Sequence, residues 1–250
     1  MLLVRDVVLP VMQNGSHAPT LTQRGASRYK AAAYVPCRKT PPRHGQTPPV
    51  MVGFFVSCNM QAYPDIDLVE RILPDIREGE LLYSLMHDVA WRDEQITIFG
   101  KTMMQPRRIA WYGDRDARYT YSGIAHEPLP WIPILQTLRG VVEEIAGAHF
   151  NSVLCNLYRN GQDSMGYHSD DEPELGRHPV IASFSIGAER ALHFRHRTDA
   201  SIPTVKVVLP SMSVLVMKGV TQEQWKHALP KTKVVVAPRI NLTFRQVHQR

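Results

Sequence analysis

Two histidines and one aspartate are spaced so that they could hold a metal. His168 and Asp170 stand two apart in YHSDDEPELG, and His227 follows in WKHALP, 57 residues beyond Asp170. Two neutral imidazoles and a carboxylate make the facial donor set that binds non-haem Fe(II) and leaves coordination positions open, which means oxygen chemistry. Zinc accepts the same donors, so a zinc hydrolase is the rival reading. Arg239 and Arg245 come next, in PRINLTFRQ. On a strand, residues 239, 241, 243 and 245 share one face. Both guanidiniums, with Asn241 and Thr243, would then point one way, and Ile240, Leu242 and Phe244 the other. Arginines directed into a pocket call for an anion, and a carboxylate taken in a fork is the natural one. Asn156 and Tyr158, two apart in CNLY, share a face in the same manner.

Such side chains converge only if strands carry them. His168 and Asp170 are expected on one face of a strand, with His227 returning on another. From residue 152 onward the chain reads as strands: SVLCNLYR, VIASFSIG, RALHFRHR, TVKVVLP, MSVLVMKG, TKVVVAP and INLTFR, separated by turn residues. The earlier part is more helical. Residues 67–73 and 79–87 place apolar side chains three and four apart, and residues 133–147 open on Pro133 and close on Gly147. Residues 91–99 and 106–112 alternate as strands do, with Gly100 as a turn. The fold class is α+β: a double-stranded β-helix, or jelly roll, with the earlier helices packed on it and a pocket between its sheets.

The chain of 250 residues is 44% hydrophobic, enough for one large domain with a core. Its net charge of +6 is uneven: residues 1–50 hold seven Lys/Arg against one acid, Asp6, which alone matches the total. The same fifty residues hold seven of the nineteen prolines and no apolar periodicity. Residues 1–57 are therefore expected to be a largely disordered basic tail, and 58–250 the folded domain. No apolar run is long enough to cross a membrane, and Arg5 and Asp6 interrupt the only leader-like stretch. Three cysteines without metal spacing read as free thiols. A monomer in the cytoplasm, or in the nucleus of a eukaryote, is the expectation.

The strings NLYRNGQDSMGYHSDDEPELG, PVIASFSIG and PRINLTFR, with FGK at 99–101, PRRIAWYGD at 106–114 and YTYSG at 119–123, occur in one order. In them the chain resembles the AlkB family of Fe(II)- and 2-oxoglutarate-dependent dioxygenases, in its DNA-repair branch, over roughly residues 60–248. The resemblance implies that His168, Asp170 and His227 hold iron. It implies that Arg239 forks onto the distal carboxylate of 2-oxoglutarate, that Arg245 lies near the chelating end, and that Asn156, Tyr158 and Asn241 line the cosubstrate. Tyr119, Tyr121, Asp171 and Glu172 match a pocket for a flipped base, a geometry such chemistry needs because a stacked base cannot reach buried iron. Phe99, beside Gly100, is the expected wedge. Lys101, Arg107, Arg108, Arg195 and Arg197 are the expected phosphate contacts. The implied reaction consumes O2 and 2-oxoglutarate and removes methyl groups from bases in DNA, 1-methyladenine and 3-methylcytosine foremost, releasing formaldehyde and succinate. An RNA, protein or lipid substrate for the same chemistry, or a non-catalytic nucleic-acid-binding protein on the same fold, stands as the alternative.

Overall fold

The alternation in residues 239–245 sets the architecture, because their two faces demand two different neighbours. The computed structural model describes residues 28–30, 63–98, 100–117, 119–121 and 124–248. In chain order the elements are β1 (Arg28–Lys30), β2 (Ile66–Val69), α1 (Glu78–Asp88), β3 (Arg92–Ile98), β4 (Lys101–Gly113), β5 (Tyr119–Tyr121) and β6 (Ile124–His126). Next come α2 (Pro133–Ala146), β7 (Ser152–Tyr158), β8 (Met165–His168), β9 (Ile181–Gly187), β10 (Arg190–His196) and β11 (Val205–Leu209). The last are β12 (Ser213–Met217), the single turn α3 (Thr221–Gln224), β13 (Trp225–Leu229) and β14 (Arg239–Arg245).

Among the described residues the strands form an eight-stranded sheet, β1-β2-β12-β9-β14-β7-β4-β3, a four-stranded sheet, β11-β10-β13-β8, and the hairpin β5-β6. β14 runs between β7 and β9, antiparallel to both. Its residues Ile240, Leu242 and Phe244 join Val153, Cys155 and Leu157 of β7 and Ala182, Phe184 and Ile186 of β9 on one face. That face packs against Leu81 and Leu85 of α1 and Ile134, Leu135, Leu138 and Val142 of α2. Burying each of these leucines contributes about 1.5–3 kcal/mol. The opposite face meets the smaller sheet over a second core that includes Leu192, Phe194, Leu215, Met217 and Trp225. This is the jelly roll with helices laid on its larger sheet, and the pocket expected between its sheets is the space left inside the second core.

α2 has the ends its sequence announces. Pro133 occupies its first turn, and Gly147 closes it in the left-handed conformation, φ 63°, donating its N–H to Glu143 O. Gly187, at the end of β9, has φ 93°, and a Cβ there would stand 2.4 Å from Pro238 O. A glycine is therefore required where the chain passes close to the start of β14.

Two expectations of secondary structure change. Residues 67–73 do not form a helix: β2 occupies Ile66–Val69 and pairs with Val214–Met217 of β12. Beyond it Arg71 and Leu73 take positive φ, 54° and 57°, and Ile72 N–H donates to Met212 O. The apolar spacing suited a helix, but β12 needed a partner on that side, and ladder pairing outweighed propensity. The valines of TKVVVAP do not form a strand either. Val234 and Val235 are exposed, at 68% and 98%, and Thr232 N–H is held by Gly161 O, a loop-to-loop bond. β14 begins only after Pro238, which has no N–H to give a ladder. β1, within residues 1–57, pairs with β2, which a largely disordered tail with some local structure allows. The rest of residues 1–57 lies outside the described residues.

A His–Asp–His centre beside a cationic pocket

β8 and β13 are neighbours in the smaller sheet, and their register sets His168 directly opposite His227. The two imidazole centroids are 4.2 Å apart. Asp170 completes the group, and the nearest donor atoms of the three lie within 4.8 Å of one another. Contrary to the simple strand reading, Asp170 is not on β8, which ends at His168. It is placed by two contacts from elsewhere: its N–H donates to Gln222 Oε1 at 3.0 Å, and its Oδ1 accepts from Arg245 Nη2 at 2.6 Å.

The remaining atoms fit a divalent metal. Asp170 Oδ2 and His227 Nδ1 are buried with no hydrogen-bond partner, a state that costs about 1–3 kcal/mol per group unless a ligand compensates. His227 Nε2 stands 3.8 Å from Asp170 Oδ2. His168 Nδ1 lies 2.9 Å from Gly166 O. Only a protonated nitrogen can donate there, which leaves Nε2 of His168 with the free lone pair.

Charge is matched to this role. Burial, with His168 alongside, pulls the pKa of His227 from 6.5 to about 3, against the opposing pull of Asp170. Burial alone would raise Asp170, but Arg245, His227 and His168 together hold it below the usual carboxylate range. At neutral pH the centre therefore offers neutral imidazole and ionised carboxylate. A stability profile follows. The unfolded chain protonates His227 near 6.5 and the folded chain refuses that proton. The metal-free protein is expected to lose stability as pH falls from about 6.5 towards 3, with Asp170 adding a loss of the same sign at the acid end. Urea unfolding at about pH 7.5, 6 and 5 checks this, and His227→Phe should flatten the profile over that range.

The cavity beside the triad has about 460 Å³ of space unfilled by atoms. Asn156, Tyr158, Arg239, Asn241, Thr243 and Arg245 line it together with all three triad residues. The register explains the convergence: Arg239 sits opposite Tyr158, and Asn241 opposite Asn156. The two arginines are not equivalent. Arg245 already has a carboxylate in Asp170. Arg239 is 3% exposed, gives Nη2 to Ser185 Oγ at 2.9 Å and sits 5.4 Å from the Tyr158 ring centroid. Its Nε has no partner, and among the described residues no carboxylate pairs with it. Burial pulls its pKa down to about 10, opposed by Tyr158. A buried guanidinium in this state is a receptor for an anion.

Neighbouring residues were not legible in advance. Asn241 Nδ2 donates to Ser183 Oγ at 2.7 Å and to Phe184 O at 3.0 Å, and Asn241 Oδ1 accepts from Thr243 Oγ1 at 3.0 Å. The serines of VIASFSIG, two apart, carried a signal for this, since period two places them on the pocket face of β9. Gln222, in TQEQW, carried none.

The expected substrate contacts are placed unevenly. Asp171, next to Asp170, is paired with Arg197 at 2.5 Å. Glu172 follows it, half-buried, and neither acid lines the cavity. Arg195 lies 4.3 Å from the Tyr167 ring centroid. Arg107 gives its Nε to Asn156 Oδ1 at 2.8 Å, so it braces the pocket wall, and Arg108 pairs with Asp93 at 3.2 Å. Gly100 makes the turn between β3 and β4 with φ 74°. Lys101 opens β4, and Tyr119 and Tyr121 form the ends of β5. The side chains of these three lie outside the described part of the structure, as does all of Phe99.

A family profile described as the 2OG-Fe(II) oxygenase superfamily matches residues 66–245. Alpha-ketoglutarate-dependent dioxygenase alkB homolog 3 of Homo sapiens is 44% identical over 183 residues, covering 70% of this chain and 63% of that protein. DNA oxidative demethylase ALKBH2 of Homo sapiens is 42% identical over 159 residues, covering 61% of each. The chain thus spans less than two thirds of the length of these relatives. Among solved structures, that of OsALKBH1 superposes with a TM-score of 0.52 at 16% identity, over 74% of this chain and 97% of that one, a likeness of fold.

Proposed function

The chain belongs to the 2OG-Fe(II) oxygenase superfamily, within the AlkB family, and on that footing we propose that it oxidatively demethylates N-alkylated bases in DNA, 1-methyladenine and 3-methylcytosine foremost. One observation carries the reading: a buried arginine that no carboxylate pairs with among the described residues opens onto the same cavity as a His–Asp–His donor set. A metal centre alone leaves that arginine unexplained, whereas a dicarboxylate cosubstrate gives it a carboxylate to fork onto. The name of ALKBH2, a DNA oxidative demethylase, supports DNA as the substrate.

Bound Fe(II), with 2-oxoglutarate and O2, supplies an oxidant able to hydroxylate a methyl C–H bond while the cosubstrate becomes succinate and carbon dioxide. The residues of the chain do the rest. His168, Asp170 and His227 would hold the ion with three protein donors, and a donor set of this size would leave it positions for cosubstrate and O2. Arg239 takes the distal carboxylate, flanked by Tyr158 and Asn241, and fixes how far the cosubstrate can enter. Arg245 neutralises Asp170 from behind and keeps it from rotating away. Asp171 is paired with Arg197, so Glu172, two residues beyond Asp170, is the acid that would favour a cationic methylated base over its neutral parent. The hydroxymethyl group on the ring nitrogen then loses its hydroxyl proton and its C–N bond breaks, which returns the electron pair to the nitrogen and releases formaldehyde.

The test is formaldehyde and succinate release from 1-methyladenine and 3-methylcytosine oligonucleotides, single- and double-stranded, with Fe(II) and 2-oxoglutarate. Methylated RNA and a methylated peptide panel run in parallel. Release from DNA well above a His168→Ala control is expected. Release from RNA or peptide alone would move the substrate class, and release equal to the control would remove the activity.

A further inference from the structure

Asp170 is the one member of the triad that no sheet holds. β8 stops at His168, so the N–H of Asp170 has no ladder partner, and Asp170 is only 3% exposed. That N–H ends on Gln222 Oε1 at 3.0 Å, and Gln222 is itself 1% exposed. The orientation of the amide is chemically forced. A backbone N–H can only donate, so the carbonyl end faces it, and Nε2 then lies 3.5 Å from the weak acceptor Met217 Sδ. With its N–H fixed by Gln222 and its Oδ1 by Arg245, Asp170 keeps Oδ2 on the side of His227 Nε2, 3.8 Å away.

Gln222 lies in α3, which runs directly into β13 and so into His227. We infer that Gln222 is a positioning residue that ties the loop bearing the metal carboxylate to the strand bearing the second histidine. Its backbone supports the same loop by another route: Gln222 O accepts from Arg197 Nη1 at 3.3 Å, and Arg197 pairs with Asp171. One helical turn thus sets the position of both consecutive aspartates. The inference rests on reading the triad as a metal centre, and it concerns the position of the ligand, not contact with the ion.

The experiment titrates Mn(II), which does not oxidise in air, into the metal-free full chain without cosubstrate or DNA. Free Mn(II) is followed by its magnetic resonance signal. Gln222→Leu keeps the shape and removes the acceptor, and is expected to weaken Mn(II) roughly 10–100-fold, as loss of outer support for a ligand does. Gln222→Glu retains a carbonyl acceptor, as the protonated acid does when buried, and is expected to hold Mn(II) within about threefold of the parent. Should Gln222→Leu not fold, Gln222→Asn, too short to reach Asp170, is expected to show the same weakening. Parental affinity in a folded Leu or Asn variant overturns the inference. So does equal weakening in the Glu variant, which would mark a merely structural glutamine. If the parent itself binds no more Mn(II) than His168→Ala, the metal reading falls and the inference falls with it, a result distinct from either of these.

Discussion

Asp170→Asn is expected to abolish metal binding and turnover in a chain that still folds. The substitution keeps shape and volume and removes one charge, so its effect isolates what that charge does. In the folded protein Asp170 answers two demands with two oxygens. Oδ1 accepts from Arg245 at 2.6 Å, and Oδ2 is buried and unpartnered beside His227. An asparagine has one oxygen. Arg245 has only donors and will claim it, which turns the amide NH2 towards the ion. A donor aimed at a cation repels it. Removing one partner from a buried charge pair costs about 3–5 kcal/mol, which converts to roughly two to four orders of magnitude in metal affinity. Mn(II) titration of the purified variant measures the loss directly, and formaldehyde release reports its consequence. Retained metal affinity would mean that the ion does not sit at this carboxylate.

Arg239→Met makes the second large prediction, and its two parts have opposite signs. In the protein alone Arg239 is a desolvated cation with one serine hydroxyl and one aromatic face for company. Its Nε is unsatisfied, and burial already pulls its pKa down to about 10. A methionine of similar length gives up little in packing and relieves that desolvation. The melting temperature without ligands should therefore stay level or rise. Binding of 2-oxoglutarate, whose distal carboxylate loses its fork, should weaken by about 2–5 kcal/mol, a factor of roughly 30 to several thousand. Thermal unfolding with and without 2-oxoglutarate, in the presence of Mn(II), separates the two. The parent should be stabilised by the cosubstrate and the variant should not. A fall in the unliganded melting temperature, with cosubstrate stabilisation intact, would make Arg239 a structural residue.

The contrast between Arg239 and Arg245 also shows where sequence reading reached its end. Both were legible as pocket-facing residues, because a strand's period of two puts residues 239 and 245 on one face whatever surrounds them. Which of them was already paired was not legible. That depends on Asp170, 75 residues earlier in the chain. Asp171 and Arg197 form another such pair, 26 residues apart, and Arg107, expected at a phosphate, instead meets Asn156 across two neighbouring strands. Local periodicity failed outright in two places. Residues 67–73 carried helical spacing yet became the strand that β12 lacked, and the valines near 235 carried strand propensity yet found no partner strand. Propensity describes what a segment can do alone, and pairing depends on what else is present.

By itself, then, the sequence determined the donor set, the face-sharing of Arg239 with Asn241 and of Asn156 with Tyr158, the jelly roll, and the helix from Pro133 to its glycine cap. The shared faces and the helix follow from residue type and geometry that act within a few residues, and the donor set and the jelly roll from motifs that occur in one order along the chain. Only the tertiary structure decided that Asp170 leaves its strand and is held by Gln222 and Arg245, that Arg239, unlike Arg245, has no carboxylate partner among the described residues, and that the two histidines face each other across β8 and β13. Those outcomes come from burial. Inside the protein every charge and N–H must find a partner or await a ligand, and which groups are left waiting depends on the assembled whole.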